Sequence, residues 1–119
     1  MSMNKNYYVI IGYDLTGFKT DKYDDWKWTD EGQKYLCYQS KGRVQLFDDP
    51  MSNSHFYFGH ILAAMDEYEF ETVNIVHGEF ILYDCFEELK YLIDIGVVDK
   101  SIYMSKNLNK KMIIFEECS

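Results

Sequence analysis

The stretch that most constrains this chain is Tyr7 to Tyr13, YYVIIGY. Seven consecutive residues of aromatic, β-branched and glycine character, with no charge among them, suit the pleated, half-buried surface of a β-strand. The same character recurs along the chain. Eleven tyrosines and eight phenylalanines bring the aromatic fraction to 18%, and apolar residues reach 47%. A chain of that composition can bury a real core, which excludes disorder as its ground state. Its 119 residues suit one globular domain, residues 1–119. Pro50 is the only proline, so no Pro-rich linker divides it.

Further strands are expected at 34–39 (KYLCYQ) and 43–47 (RVQLF), joined as a hairpin around Ser40-Lys41-Gly42. Asp48-Asp49-Pro50 ends the second of these. Residues 55–63 (HFYFGHILA) and 68–76 (YEFETVNIV) follow, the latter alternating so that Glu69 and Glu71 share one face. Residues 14–29 have no clear period and read as a long loop. One helix is expected near 84–95. Leu82, Cys85, Phe86, Leu89, Leu92 and Ile93 recur at three- and four-residue steps, which places them on one stripe. Asp84 and Glu87 have capping-box spacing, and Gly96 can take the left-handed conformation that ends a helix. Residues 102–104 and 111–117 are expected to close the chain as a hairpin. Runs of strands with one late helix define an α+β class, mainly an antiparallel sheet with one amphipathic helix.

The net charge of −8 is unevenly spread. Between Arg43 and Lys90 there are ten acidic residues and no lysine or arginine, while the segments on either side each carry +1. Such a field repels nucleic-acid phosphates and attracts a basic partner, although charge runs of this kind also serve simply to solvate a face. Three cysteines, Cys37, Cys85 and Cys118, with no CxxC pair, imply free thiols in a reducing cytoplasm. No secretory signal is expected, and no stretch approaches the length of a membrane span.

The chemistry-bearing candidates cluster in residues 21–28, DKYDDWKW, which hold three aspartates and both tryptophans. As an EF-hand loop counted from Asp21, the stretch has Trp26 where the sixth position needs Gly and Gly32 where the twelfth needs Glu. No metal site or cofactor is therefore expected. The aromatics leave two readings open. They cap the core beneath a long loop, or Tyr23, Trp26 and Trp28 form a recognition patch of the kind that dominates binding hot spots. His55, His60 and His77 have neither mutual nor cysteine spacing for zinc. Phosphate-binding glycine loops are absent from the sequence. Cys85 falls on the apolar stripe and reads as a small core residue.

QSKGRVQLFDDPMSNSHFYFGHILA, residues 39–63, following YDLTGFKTDKYDDWKW, resembles small uncharacterised proteins encoded by phages of Gram-positive bacteria. The resemblance spans about residues 7–72. It includes no motif of known chemistry, so no functional residue carries over. It implies a small accessory protein acting in a host cytoplasm.

The functional expectation is a non-catalytic protein that binds and modulates or inhibits a bacterial host protein, such as a basic nucleic-acid-handling or defence enzyme. It would bind no nucleic acid and no membrane directly. Its partner surface would comprise Tyr23, Trp26 and Trp28 with the acidic strand residues Glu67, Glu69 and Glu71. Two alternatives stand beside it. One is a small hydrolase or metal-assisted enzyme in which Asp24, Asp25, Asp48, Asp49 and His55 converge. The other is a self-assembling protein whose strands pair edge to edge between copies.

Overall fold

The structure, a computed structural model, describes residues 5–36, 43–48, 55–66 and 82–118. Among these residues, four strands form one antiparallel sheet: β1 (Lys5–Asp14), β2 (Val44–Asp48), β3 (Phe56–Asp66) and β4 (Lys111–Cys118), in the order β2-β3-β1-β4. The YYVIIGY run lies in β1 and has a neighbour on each side, β3 pairing Ile11 with His60 and β4 pairing it with Met112. Ile10 and Ile11 point to opposite faces, and both are fully buried. An uninterrupted apolar run is what a strand covered on both faces requires.

Among the described residues, three short helices accompany the sheet: α1 (Lys22–Trp26), α2 (Asp30–Leu36) and α3 (Phe86–Asp94). Two 3-10 helices, Lys100–Met104 and Lys106–Leu108, lead from α3 into β4. Helix α3 buries Leu89, Leu92 and Ile93, as its sequence period requires. Gly96 follows it with φ of 85°, donating to the Ile93 carbonyl while Val97 donates to that of Leu92. This pair of bonds closes the helix as a Schellman motif, and the positive φ explains the glycine.

The first core cluster joins Tyr13, Leu46, Phe56 and Phe58 of the sheet to Tyr23 of α1 and to Leu89, Leu92 and Ile93 of α3. A second cluster gathers Tyr8, Ile10, Phe47 and Ile61, with Tyr57, Ile113 and Phe115 packed against it. Strands β2 and β4 are the outermost of the four, yet the Phe47 and Phe115 rings lie 5.0 Å apart, centroid to centroid. Tyr8 of β1 touches both, at 4.8 and 5.5 Å. The sheet is therefore coiled until rings from its two edges meet.

Two local devices permit that curvature. The register shifts between Val9 and Ile10, a bulge that increases local twist. Gly12 pairs with Gly59 across β1 and β3. A Cβ at Gly12 would stand 2.0 Å from the Phe58 carbonyl oxygen, and one at Gly59 would stand 2.4 Å from that of Ile11. Only glycine allows so close a backbone approach.

Several expectations are corrected. Residues 22–26, expected in a loop, form α1. Residues 34–36, expected in a strand, belong to α2, so the 34–47 hairpin does not form as expected. Thr29 explains the change: its Oγ1 accepts the Gly32 N–H at 3.1 Å, an N-cap bond that starts a helix. Tyr35 and Leu36 also pack on the same cluster, whereas adjacent strand residues would point apart. Residues 102–104 are 3-10 rather than strand, because the Asp99 carboxylate accepts the Ser101 N–H at 2.9 Å; β4 pairs with β1 instead. Leu82, counted on the apolar stripe, is exposed. The expected turn at 40–42 and strand at 68–76 lie outside the described residues.

Candidate functional site

The DKYDDWKW stretch becomes a helical corner held from below. After β1, the Asp14 carboxylate accepts the Thr16 N–H at 3.0 Å, and Phe18 donates to the Leu15 carbonyl. Thr20 then clasps the end of α3. Its hydroxyl bonds to the Gly96 and Val97 carbonyls, and its N–H donates to Val97. Asp99 donates its N–H to Phe18 in return.

Helix α1 is rooted by Tyr23, which is 1% exposed. Its ring stands edge-on to Phe56, with centroids 5.2 Å apart and planes at 84°. Its phenol faces the Asp48 carboxylate. Asp48 is itself held by Lys19 at 3.2 Å. Burial first, and then the Asp48 carboxylate, push the Tyr23 phenol far above its ordinary value. Tyr23, expected on the partner-facing surface, is thus the floor of the corner: its ring fills the core.

Trp26 is half-buried and packs between Tyr23 and Tyr35, with centroids at 6.2 and 5.9 Å. Tyr35 continues the series to Tyr91 on α3 at 6.4 Å. The Tyr91 hydroxyl donates to the Glu31 carboxylate, and that bond, ahead of desolvation, raises its pKa. The Trp26 indole N–H is buried against this hydroxyl without a well-aligned hydrogen bond.

Trp28 is the opposite case. It lies in the Lys27–Thr29 connection between α1 and α2 and is 75% exposed. It does not swing freely on a floppy loop. The Lys27 ammonium sits 5.4 Å from the Trp28 ring centroid and 5.6 Å from that of buried Tyr23. It also reaches Asp24 at 3.6 Å. A cation shared between a buried and an exposed ring restrains the exposed one, with each such contact contributing about 0.5–1 kcal/mol. Below the indole, Thr29 Oγ1 and the Gln33 amide bond to the Trp26 and Lys27 carbonyls and fix the corner. Asp21, Asp24, Asp25, Asp30 and Glu31, on the two flanking helices and their starts, are exposed, as are Lys22 and Lys34. The arrangement offers one large exposed aromatic between two short helices with more acids than bases. Glu67, Glu69 and Glu71, the other half of the expected surface, lie outside the described residues.

The residues of the enzymatic alternative have separate occupations. Asp24 and Asp25 are exposed on α1, and Asp48 serves Tyr23 and Lys19. His55 is buried, stacked on Tyr57 at 4.9 Å, with its Nε2 3.4 Å from a Glu117 oxygen. Asp49 lies outside the described residues. Among the described residues, no three His, Cys, Asp or Glu side chains gather closely enough to hold a metal. A small pocket of about 140 Å³ lies between Thr16, Gly17, Lys19, His55 and Phe56. Its one lysine is already paired with Asp48. Cys85 is fully buried at the start of α3, and burial pushes its thiol up to about 12, which suits a core residue and not a nucleophile. Among the described residues, no helix is long and apolar enough to cross a membrane.

Compared with known proteins, the chain matches no family model, no curated protein and no solved structure.

Proposed function

We propose that this chain is a non-catalytic binding protein that docks on a bacterial host protein through the α1–α2 corner and modulates or inhibits it. The observation that carries this reading is Trp28. An indole 75% exposed to water, held in place by Lys27, is pre-organised for insertion into a partner's pocket. Tyr23, Trp26 and Tyr35 pack on one another in the flanking helices, and Lys27 links the Tyr23 ring to that of Trp28. The five acids of this stretch, against Lys22, Lys27 and Lys34, favour a partner whose apolar pocket has a basic rim. A protein that ordinarily grips nucleic-acid phosphates has such a rim. The resemblance of residues 7–72 to phage accessory proteins supplies the setting, a host cytoplasm.

The test is affinity capture from a Gram-positive host lysate with wild type, Trp28→Ala and Trp28→Phe, each checked for fold by circular dichroism. A protein held by wild type should then be purified and titrated. The expected result is a loss of affinity of about thirtyfold to several hundredfold for Trp28→Ala and partial retention for Trp28→Phe, since about 2–4 kcal/mol is the usual range for a hot-spot residue. Equal affinity of all three forms removes Trp28 from the interface and this reading with it.

A further inference from the structure

The two outer strands of the sheet differ in a way the Trp28 corner does not explain. Strand β2 has five residues, and short edges resist pairing with other chains. Strand β4 has eight, with no proline, and its register against β1 runs without a bulge. Among the described residues, β1 is its only neighbour in the sheet. Its outward face carries Met112, 43% exposed, and Ile114, 71% exposed, two residues apart and therefore side by side. Charges stand only at its ends, with Lys110 and Lys111 before this apolar centre and Glu116 and Glu117 after it. Natural edge strands usually carry a charge, bulge or proline in the middle, where this one has Met112-Ile113-Ile114.

We propose that β4 is a self-association edge, and that its partner is the β4 strand of a second copy of this chain, paired antiparallel about a two-fold axis at Ile113. The sequence is complementary to its own reverse. In that register Met112 of each copy stands beside Ile114 of the other, which gathers all four exposed apolar side chains into one contiguous patch of mutual contacts. The basic start of each strand lies beside the acidic end of its mate, and opposite charges across strands stabilise such pairs. The isologous geometry places the same patch on both sides and closes after two copies. The two four-stranded sheets become one continuous eight-stranded sheet. Strand addition of this kind draws its affinity from main-chain hydrogen bonds and its register from alternate side chains. The contact is small, so the dimer is concentration-dependent. This inference is independent of the Trp28 reading, because it uses other residues and needs no host protein.

Sedimentation velocity over a wide concentration range tests it, with wild type, Ile114→Lys and Trp28→Ala. Wild type and Trp28→Ala should pass from monomer to dimer together. Ile114→Lys should raise the dimer dissociation constant tenfold or more while keeping the wild-type melting curve, because Ile114 is exposed in the monomer. Register is read with Cys37→Ser/Cys118→Ser/Ile113→Cys, in which mild oxidation should cross-link two copies at the two-fold axis. Wild type that stays monomeric at the highest concentration overturns the proposal. So does a dimer that is indifferent to Ile114→Lys and is not cross-linked through Cys at position 113.

Discussion

On one face of the sheet, Tyr13, Leu46 and Phe58 are covered by Tyr23 of α1 and by Leu89, Leu92 and Ile93 of α3. On the other, Ile10 and Ile61 share a cluster with rings from the sheet's own edges, Phe47 and Phe115. The first face depends on elements laid over it. The second depends on the sheet's curvature, and so on backbone geometry at Gly12, Gly59 and the bulge at Val9. Among the described residues, this second cluster is built from the sheet's own strands and from no helix, because two of those strands approach closely enough.

The harshest way to break the comparison is Gly12→Val. Its Cβ would meet the Phe58 carbonyl at 2.0 Å, and neither backbone can yield without parting β1 from β3. The expected loss is at least about 4 kcal/mol, the range reserved for severe steric or core defects, read as loss of the cooperative thermal transition. Next in size is the helix-covered face. Leu92→Ala should destabilise by roughly 3–5 kcal/mol in urea melts, as expected for a fully buried leucine. Against it stands Phe115→Ala, which should cost less, about 2 kcal/mol, because that ring is only partly buried. Combined with Phe47→Ala in a double-mutant cycle, it should show a coupling of about 0.5–1.5 kcal/mol. Strict additivity would mean that the two edges do not meet.

Alkali should act chiefly on the helix-covered face. Tyr13 and Cys85 both belong to its cluster, and burial pushes each up to about 12, from ordinary values of 10.0 and 9.0. The unfolded chain therefore loses these protons at lower pH than the folded one. Their contribution to stability is intact below pH 9 and falls away as pH rises from there to about 12. Urea midpoints measured across that window should decline, with Cys85→Ala removing the earlier part of the fall. A flat profile would contradict the burial of both groups. The smallest effect is expected from Trp28→Ala, within about 0.5 kcal/mol of wild type, as is usual for exposed positions. Trp26→Ala, two residues away, should exceed it clearly in the same melts.

These contrasts mark what the sequence made legible. Strands β1, β2 and β3 and helix α3 announced themselves because their periods are local and their side chains few in kind. Helix α2 was misread because Lys34 to Gln39 looks like a strand in isolation. The usable signal lay just upstream, in Thr29 followed by Asp30 and Glu31, a capping residue with acids in the first turn. Strand β4 was found but given the wrong neighbour, since Asp99 turns residues 100–104 into a 3-10 helix. The curl of the sheet was not legible at all. Gly12 and Gly59 lie 47 positions apart, and nothing local marks them as opposite one another. At the candidate site the sequence supplied the right residue types and could not sort them. Tyr23, Trp26 and Trp28 are chemically alike, and only the corner at Thr29 decides that one is floor, one is wall and one faces water.

The clasp made by Thr20 reaches further than its few hydrogen bonds. It joins positions 76 residues apart. Contacts of such long sequence separation slow folding, because the entropy of closing the loop is lost before the contact returns anything. The corner that carries Trp28 therefore leans on the far end of the sequence, at the Gly96 terminus of α3. In the native state the same dependence runs backwards. Opening at Gly96 and Val97 should release the Thr20 amide, which donates to Val97, and hydrogen exchange at Thr20 should report it.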